Sequence, residues 1–156
     1  MYAVGSIVPF AFDYCPPGFL RCDGALLPIA GHEPLFFFFG CTFGGDGKTT
    51  FALPSMPPLV PGLSHFVCAQ AATDTDGPFT GAVQELGFAH TIYGFLPCDG
   101  RLLAILRDTT LFTLLGTRFG GDGRATFALP LVPPRKPGMS YQICVQGLYP
   151  GRSARC

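Results

Sequence analysis

The chain has 156 residues, of which 20 are charged, 37 are glycine or proline, 21 are aromatic and none is tryptophan. Ten basic and ten acidic side chains cancel, which excludes the overall positive field of a nucleic-acid binder. With 48% hydrophobic and 13% charged residues the composition is also not that of a disordered chain. The most apolar stretches, such as residues 35–40, are about six residues long where a spanning helix needs ~20, so no membrane span is expected.

The elements come in pairs, because the chain is one unit written twice. Aligning residues 5–70 with 81–146 at an offset of 76 gives 31 identities in 66 positions without a gap. Two copies that similar must adopt the same local structure. Residues 5–12, and 81–88 in the second copy, alternate apolar and small residues and predict a strand. Pro16, Pro17 and Gly18 turn the chain, and residues 19–22 predict a short second strand. Asp23-Gly24 signals a tight turn, from which Leu26, Leu27 and Ile29 are expected to continue a hairpin. Residues 35–39 and 111–115 suit a short helix, with Pro34 in its first turn and Gly40 or Gly116 at its end. Gly44-Gly45-Asp46-Gly47 and Gly120-Gly121-Asp122-Gly123 predict loops that need positive φ. Phe51-Ala52-Leu53-Pro54 and Phe127-Ala128-Leu129-Pro130 leave those loops extended, since a residue before proline avoids the helical region. Residues 64–70 and 140–146 close each unit as a last strand.

The expected fold class is therefore mainly β with short helices (α+β). Two tandem small modules of short strands and Gly/Pro-rich loops occupy residues 1–70 and 81–156. Residues 71–80, small and polar, read as a surface linker between them. Each module sits near the lower size limit for folding alone, so packed copies would share a core more easily.

Charged residues make up roughly half of the ~25% usual for a soluble domain, which implies apolar surface in search of cover. Charge is also divided unevenly. Residues 1–80 hold two basic against six acidic side chains, a net of −4, and residues 81–156 hold eight against four, a net of +4. Unlike ends favour head-to-tail contact between molecules, or an antiparallel dimer.

The chemistry-bearing residues point away from catalysis. Cys22 and Cys98 recur, as do Cys68 and Cys144, but no C-x2-C pair suggests zinc. Cys68 and Cys144 lie among strand residues and read as small buried hydrophobes. Seven cysteines is an odd count, and the terminal Cys156 is the candidate for a thiol linking two chains. His32, His65 and His90 align with Asp108, Tyr141 and Tyr14, so no histidine recurs. The loop before Lys48 lacks the frame of a phosphate loop. One carboxylate per loop, Asp46 or Asp122, is few for calcium, which takes six or more oxygens, and turn formation is the better reading. No cofactor, catalytic residue or metal site is expected, and no secretory signal pattern is visible at the N-terminus.

The order Gly-x-Ile, Pro-x-Gly-Phe, Cys22-Asp23-Gly24, Leu-Leu-x-Ile, Leu-Phe, then Phe-Gly-Gly-Asp-Gly and Thr-Phe-Ala-Leu-Pro resembles the phage tail collar domain, also found in microcystin-dependent-protein-like sequences. The second copy is similarly close through Cys98-Asp99-Gly100, Leu111-Phe112 and residues 119–130. Family members usually follow Leu-Pro with Asp-Leu-Arg-Gly-Arg, whereas Ser55-Met56-Pro57-Pro58 and Leu131-Val132-Pro133-Pro134 stand here. The resemblance implies a non-enzymatic structural module of a tail or fibre, extracellular or on the virion. Together with the low charge and its division, it leads to the expectation of a protein that assembles with itself head-to-tail. The alternative expectation is an adhesion module for a cell-surface or glycan receptor, with Tyr2, Tyr14, Tyr93 and Tyr149 available to stack on sugars.

Overall fold

The computed structural model describes residues 2–70 and 77–151. The first copy contains β1 (Ile7–Phe10), β2 (Phe19–Arg21), β3 (Leu26–Pro28), α1 (Glu33–Phe39), β4 (Thr50–Ala52) and β5 (Ser64–Cys68). The second contains β6 (Val83–Leu86), β7 (Phe95–Pro97), β8 (Leu102–Ala104), α2 (Thr109–Leu115), β9 (Thr126–Ala128) and β10 (Ser140–Cys144). Every element recurs at the offset of 76, as the duplication requires. The fold is mainly β with two short helices.

In each copy the last strand is central. β5 lies between β1 and β2, and β10 between β6 and β7, all antiparallel. Each copy also has a two-stranded sheet, β3–β4 or β8–β9. The hairpin expected after Asp23-Gly24 is therefore corrected: β2 pairs with β5, while β3 pairs with β4. Asp23 Oδ1 accepts the Ala25 N–H at 3.0 Å, a local turn that bends the chain out of one sheet and into the other. Cys22 donates its N–H to the His65 carbonyl, Met56 donates to that of Cys22, and Leu53 to that of Ala25, so the segment is stitched to both sheets.

The helices follow their sequence signals. Proline stands in the first turn of α1, and Gly40 ends it with φ +54°, its N–H returning to the Phe36 carbonyl at 2.8 Å. Gly116 does the same for α2 with φ +56°.

Alternation along β5 divides the interior. Val67 points into a core private to the first copy, with Leu35, Phe51 and Leu53. Phe66 and Cys68 point into a larger core that both copies build: Phe10, Phe12, Phe19 and Leu63 from the first meet Val83, Leu111, Leu114 and Ile143 from the second. Six aromatic rings from Tyr2 to Phe79 pack edge-on, tilted or stacked around Phe10 and Phe19, at centroid spacings of 4.8–6.4 Å. An isolated antiparallel bridge, Phe10 to Ala82, links the edges of the two three-stranded sheets.

Of the expected surface linker, residues 71–76 lie outside the described residues. Phe79 and Thr80 are buried rather than on the surface. Phe79 adds a ring to the aromatic cluster, and its N–H donates to the Tyr2 hydroxyl at 2.9 Å. Thr80 donates its N–H to the Leu148 carbonyl and accepts the Gly147 N–H on Oγ1.

Candidate functional site

The most repeated sequence, Gly-Gly-Asp-Gly, forms two nearly superposable loops. Gly44, Gly45 and Gly47 have φ of +129°, +93° and +72°, and Gly120, Gly121 and Gly123 have +128°, +94° and +74°. A Cβ on Gly45 would lie 2.4 Å from the Phe51 Cα, and one on Gly121 equally close to that of Phe127, so only glycine lets the loop fold against its own exit strand. Asp46 Oδ1 accepts the N–H groups of Lys48, Thr49 and Thr50 at 2.8–2.9 Å, and Oδ2 accepts the Thr49 hydroxyl. Asp122 accepts the N–H groups of Arg124, Ala125 and Thr126 at 2.9 Å. These donors hold the Asp46 carboxyl well below the ordinary carboxylate range and lower Asp122 to about 2. The loops are turn-forming devices whose carboxylates are spent on backbone donors. Phe51 and Phe127, buried beneath them, anchor each loop to its core, and Pro54 and Pro130 follow two residues after the strands that carry them.

In the crossover motif, Gly24 and Gly100 have φ of +80° and +78°. Asp23 stays on its turn, whereas Asp99 also holds Arg101 in a bidentate pair at 2.8–3.2 Å. The pair is half exposed and adds little stability. Cys22 and Cys98 are buried beneath the motif, and burial pushes their thiols up to about 11 and about 12. Cys68 and Cys144 are buried as expected, Cys41 is exposed, and all five are free thiols. Cys15 is disulfide-bonded. Cys156, the expected intermolecular thiol, lies outside the described residues.

Among the described residues no three His, Cys, Asp or Glu side chains converge as metal ligands. No described helix is long and apolar enough to cross a membrane. His32 and His65 hydrogen-bond proline carbonyls through Nδ1, and His90 stacks on Phe88 at 4.3 Å. Of the four tyrosines considered for sugar stacking, Tyr2 and Tyr14 are engaged internally, Tyr14 donating to the Pro150 carbonyl at 2.7 Å. Tyr93 and Tyr149 are 94% and 58% exposed.

Sequence reading missed a cavity of about 560 Å³ between the copies, where β1 and β6 diverge beyond their single bridge. Its walls are equivalent positions with opposite chemistry. Pro9, Leu59 and His65 line the first-copy side, and their counterparts Glu85, Arg135 and Tyr141 line the other. Arg135 reaches Glu85 at 3.3 Å and donates to the Tyr141 hydroxyl at 3.1 Å. Burial, and the charge of Arg135, lower the pKa of His65. Pro9 explains the divergence: the residues of β1 alternate between β5 and the opposite edge, and the Cys68 N–H to Ser6 carbonyl bond assigns Ser6 to β5. The pairings of Val8 and Phe10 continue that alternation, so Ile7 and Pro9 face β6, and Pro9 has no N–H to offer.

Two exposed phenylalanines lie side by side on α1, where Phe37 and Phe38 are 81% and 64% exposed and make an edge contact with each other. The equivalent residues of α2 are Thr113 and the buried Leu114.

Comparison with known proteins agrees with this duplicated architecture. No curated protein and no solved structure matches the chain. The profile of the Phage Tail Collar Domain matches in two segments, residues 5–61 and 81–132, which cover the first five elements of each copy, β1 to β4 and β6 to β9 with their helices. The chain belongs to the phage tail collar domain family, in two tandem copies.

Proposed function

We propose that the chain is a non-enzymatic structural part of a phage tail or tail-like fibre, extracellular or on the virion, and that it assembles with itself. Family membership supports the tail role. The observation that carries the assembly is the pair Phe37 and Phe38: a seven-residue helix presents two phenylalanines to solvent while its counterpart α2 packs into the shared core. Burying two such rings is worth about 3–6 kcal/mol before the costs of association, which makes them one part of the larger contact that assembly needs. Sedimentation velocity between low and high micromolar protein tests it, with negative-stain imaging of the heavier species. A sedimentation coefficient independent of concentration, at the monomer value throughout, overturns self-assembly.

A second reading, receptor adhesion, is favoured by Tyr93, almost wholly exposed beside Ile92 and Gly94. A glycan array on which the protein binds and Tyr93→Ala does not would support it; an array with no binding removes it.

A further inference from the structure

The cavity between the copies collects polar groups that nothing else in the fold uses. It is lined by Arg135, whose side chain is 70% exposed, and by the less exposed Glu85, at 27%. Arg135 meets both the Glu85 carboxylate and the Tyr141 hydroxyl through Nε, so its two terminal amino groups have no partner among the described residues. The second Glu85 oxygen is open in the same sense, and the Tyr141 hydroxyl, accepting from Arg135, keeps its own proton to donate. His65 lines the same space. Its Nδ1 lies 3.1 Å from the Pro57 carbonyl, which can only accept, so Nδ1 carries the proton and Nε2 is left as an acceptor. One more acceptor comes from the backbone. The Phe10–Ala82 bridge, with the Ala11 N–H on the Gly81 carbonyl, sets the Val83 carbonyl opposite Pro9, which has no N–H for it. The first copy adds apolar lining through Val8, Met56 and Leu59.

We infer that this cavity binds a neutral pyranose sugar unit, its hydroxyls on Glu85 and Arg135 and its apolar ring face against Leu59 and Met56. The charges select the class. The guanidinium already has a carboxylate 3.3 Å away, so an anionic ligand would be held by Arg135 and repelled by Glu85, and a cation the reverse. A wholly apolar ligand would strip water from the pair and leave its open donors and acceptors unmatched. A hydroxyl is donor and acceptor on one atom, which suits an acid and a base side by side. Acceptors at Glu85, His65 and Val83 and donors at Arg135 and Tyr141 call for several hydroxyls, and the apolar lining calls for a face without them. A sugar ring has both. The volume, about 560 Å³, lies within the range of small-molecule sites, about 300–1,000 Å³. An extended peptide is a poorer fit, because the edges of β1 and β6 converge on the Phe10–Ala82 bridge and leave no length of free edge for a ladder. Neither copy holds the site alone: the first gives Leu59 and His65, and the second gives Arg135 and Tyr141 at the same positions. The inference does not rest on the self-assembly reading, and it differs from the adhesion reading in placing the sugar away from Tyr93.

Saturation-transfer difference NMR on the whole chain, with the methyl glycosides of glucose, galactose and mannose at millimolar concentration, tests this, and titration of the protein's amide shifts gives the affinity. Expected are saturation transfer to at least one glycoside and shifts confined to the edges of β1 and β6 and to residues 56–65 and 135–141. Arg135→Ala, at an exposed side chain, should lose the binding. Glu85→Gln, which keeps the shape, should weaken it roughly tenfold by removing a charge-assisted hydrogen bond. Circular dichroism checks both folds, and either variant suffices should the other misfold. Tyr93→Ala should bind as the unmodified protein does. Acetate and N-acetylalaninamide serve as anionic and peptide probes. No transfer to any of the glycosides overturns the inference, as does binding unchanged in both cavity variants. Acetate bound in place of sugar, and more tightly in Glu85→Gln, would overturn it in favour of an anion site at Arg135, and the amide bound in place of sugar would overturn it in favour of a peptide site. Loss of sugar in Tyr93→Ala alone would return the sugar to the surface site of the adhesion reading and leave the cavity without it.

Discussion

Removing one ring from the shared core should show whether the two copies are one cooperative unit. Phe12 is 1% exposed, lies 4.8 Å from Phe10 and 4.7 Å from Tyr14, and meets Leu114 of the second copy over Gly81. Truncation in Phe12→Ala opens a cavity that neighbours from both copies can only partly fill, at a cost of about 3–5 kcal/mol. With a urea slope of about 2 kcal/mol per molar, the midpoint should fall by roughly 1.5–2.5 M. The cysteines supply a reporter for each copy. Cys22 and Cys68 are buried free thiols in the first, Cys98 and Cys144 their counterparts in the second, and Cys41 is exposed and sets the native baseline. Pulsed alkylation along a urea series, read by mass spectrometry, should show all four buried thiols becoming reactive at one midpoint, and all four shifting together in Phe12→Ala. Phe88→Ala, at the half-exposed counterpart, should shift them by a fraction of that amount. If Cys98 and Cys144 stay protected at urea concentrations where Cys22 and Cys68 already label, the copies unfold separately and the shared core does not couple them.

Acid should act on the repeated loops late and unequally. The folded-state pKa values of Asp46 and Asp122 are depressed, so their contribution is complete above the unfolded value of about 4 and fades as pH falls through the folded one. Carboxyl titration by NMR should place Asp122 near 2 and Asp46 lower still; ordinary values at both would refute the staple reading. His65 works over a different range. Its folded pKa lies below its unfolded value of about 6.5, so stability falls as pH drops beneath that value. His65→Phe should lose that slope, and an unchanged pH–stability curve would show His65 titrates normally. Gly45→Ala should unfold or severely destabilise the first copy's loop, because its Cβ meets backbone at 2.4 Å, whereas Gly31→Ala, with open space around it, should pay only for its positive φ. Soluble, native-like Gly45→Ala would refute the close approach. Pro9→Val should supply the missing donor and extend the β1–β6 bridge, seen as slowed hydrogen exchange at residue 9. Exchange as fast as in a loop would mean that something other than proline holds the edges apart.

What the sequence disclosed and what it hid divide along one physical line. Local conformational requirements were legible: Gly40 at a helix end, positive φ in Gly-Gly-Asp-Gly, and an offset of 76 that fixed every element of the second copy once the first was read. Pairing across the chain was not. Asp23-Gly24 carries the signature of a hairpin turn, yet whether the strands beside it pair with each other is decided by β5, more than forty residues away, which outcompetes β3 for the edge of β2. The cavity was hidden for a related reason, since Pro9 and Glu85 are unremarkable until the bridge brings their strands together. Duplication adds a further limit. Identical sequence motifs predict identical folds, but a contact between two like objects leaves one surface of each unused unless it is symmetric. The substitutions that record this are not in the repeated motifs at all. They are positions where the copies differ, such as Phe38 against Leu114 and Val60 against Lys136, and their meaning depends on which of each pair the other copy covers. In a tandem protein the identities therefore report the fold, and the differences between the copies report how the two copies meet each other.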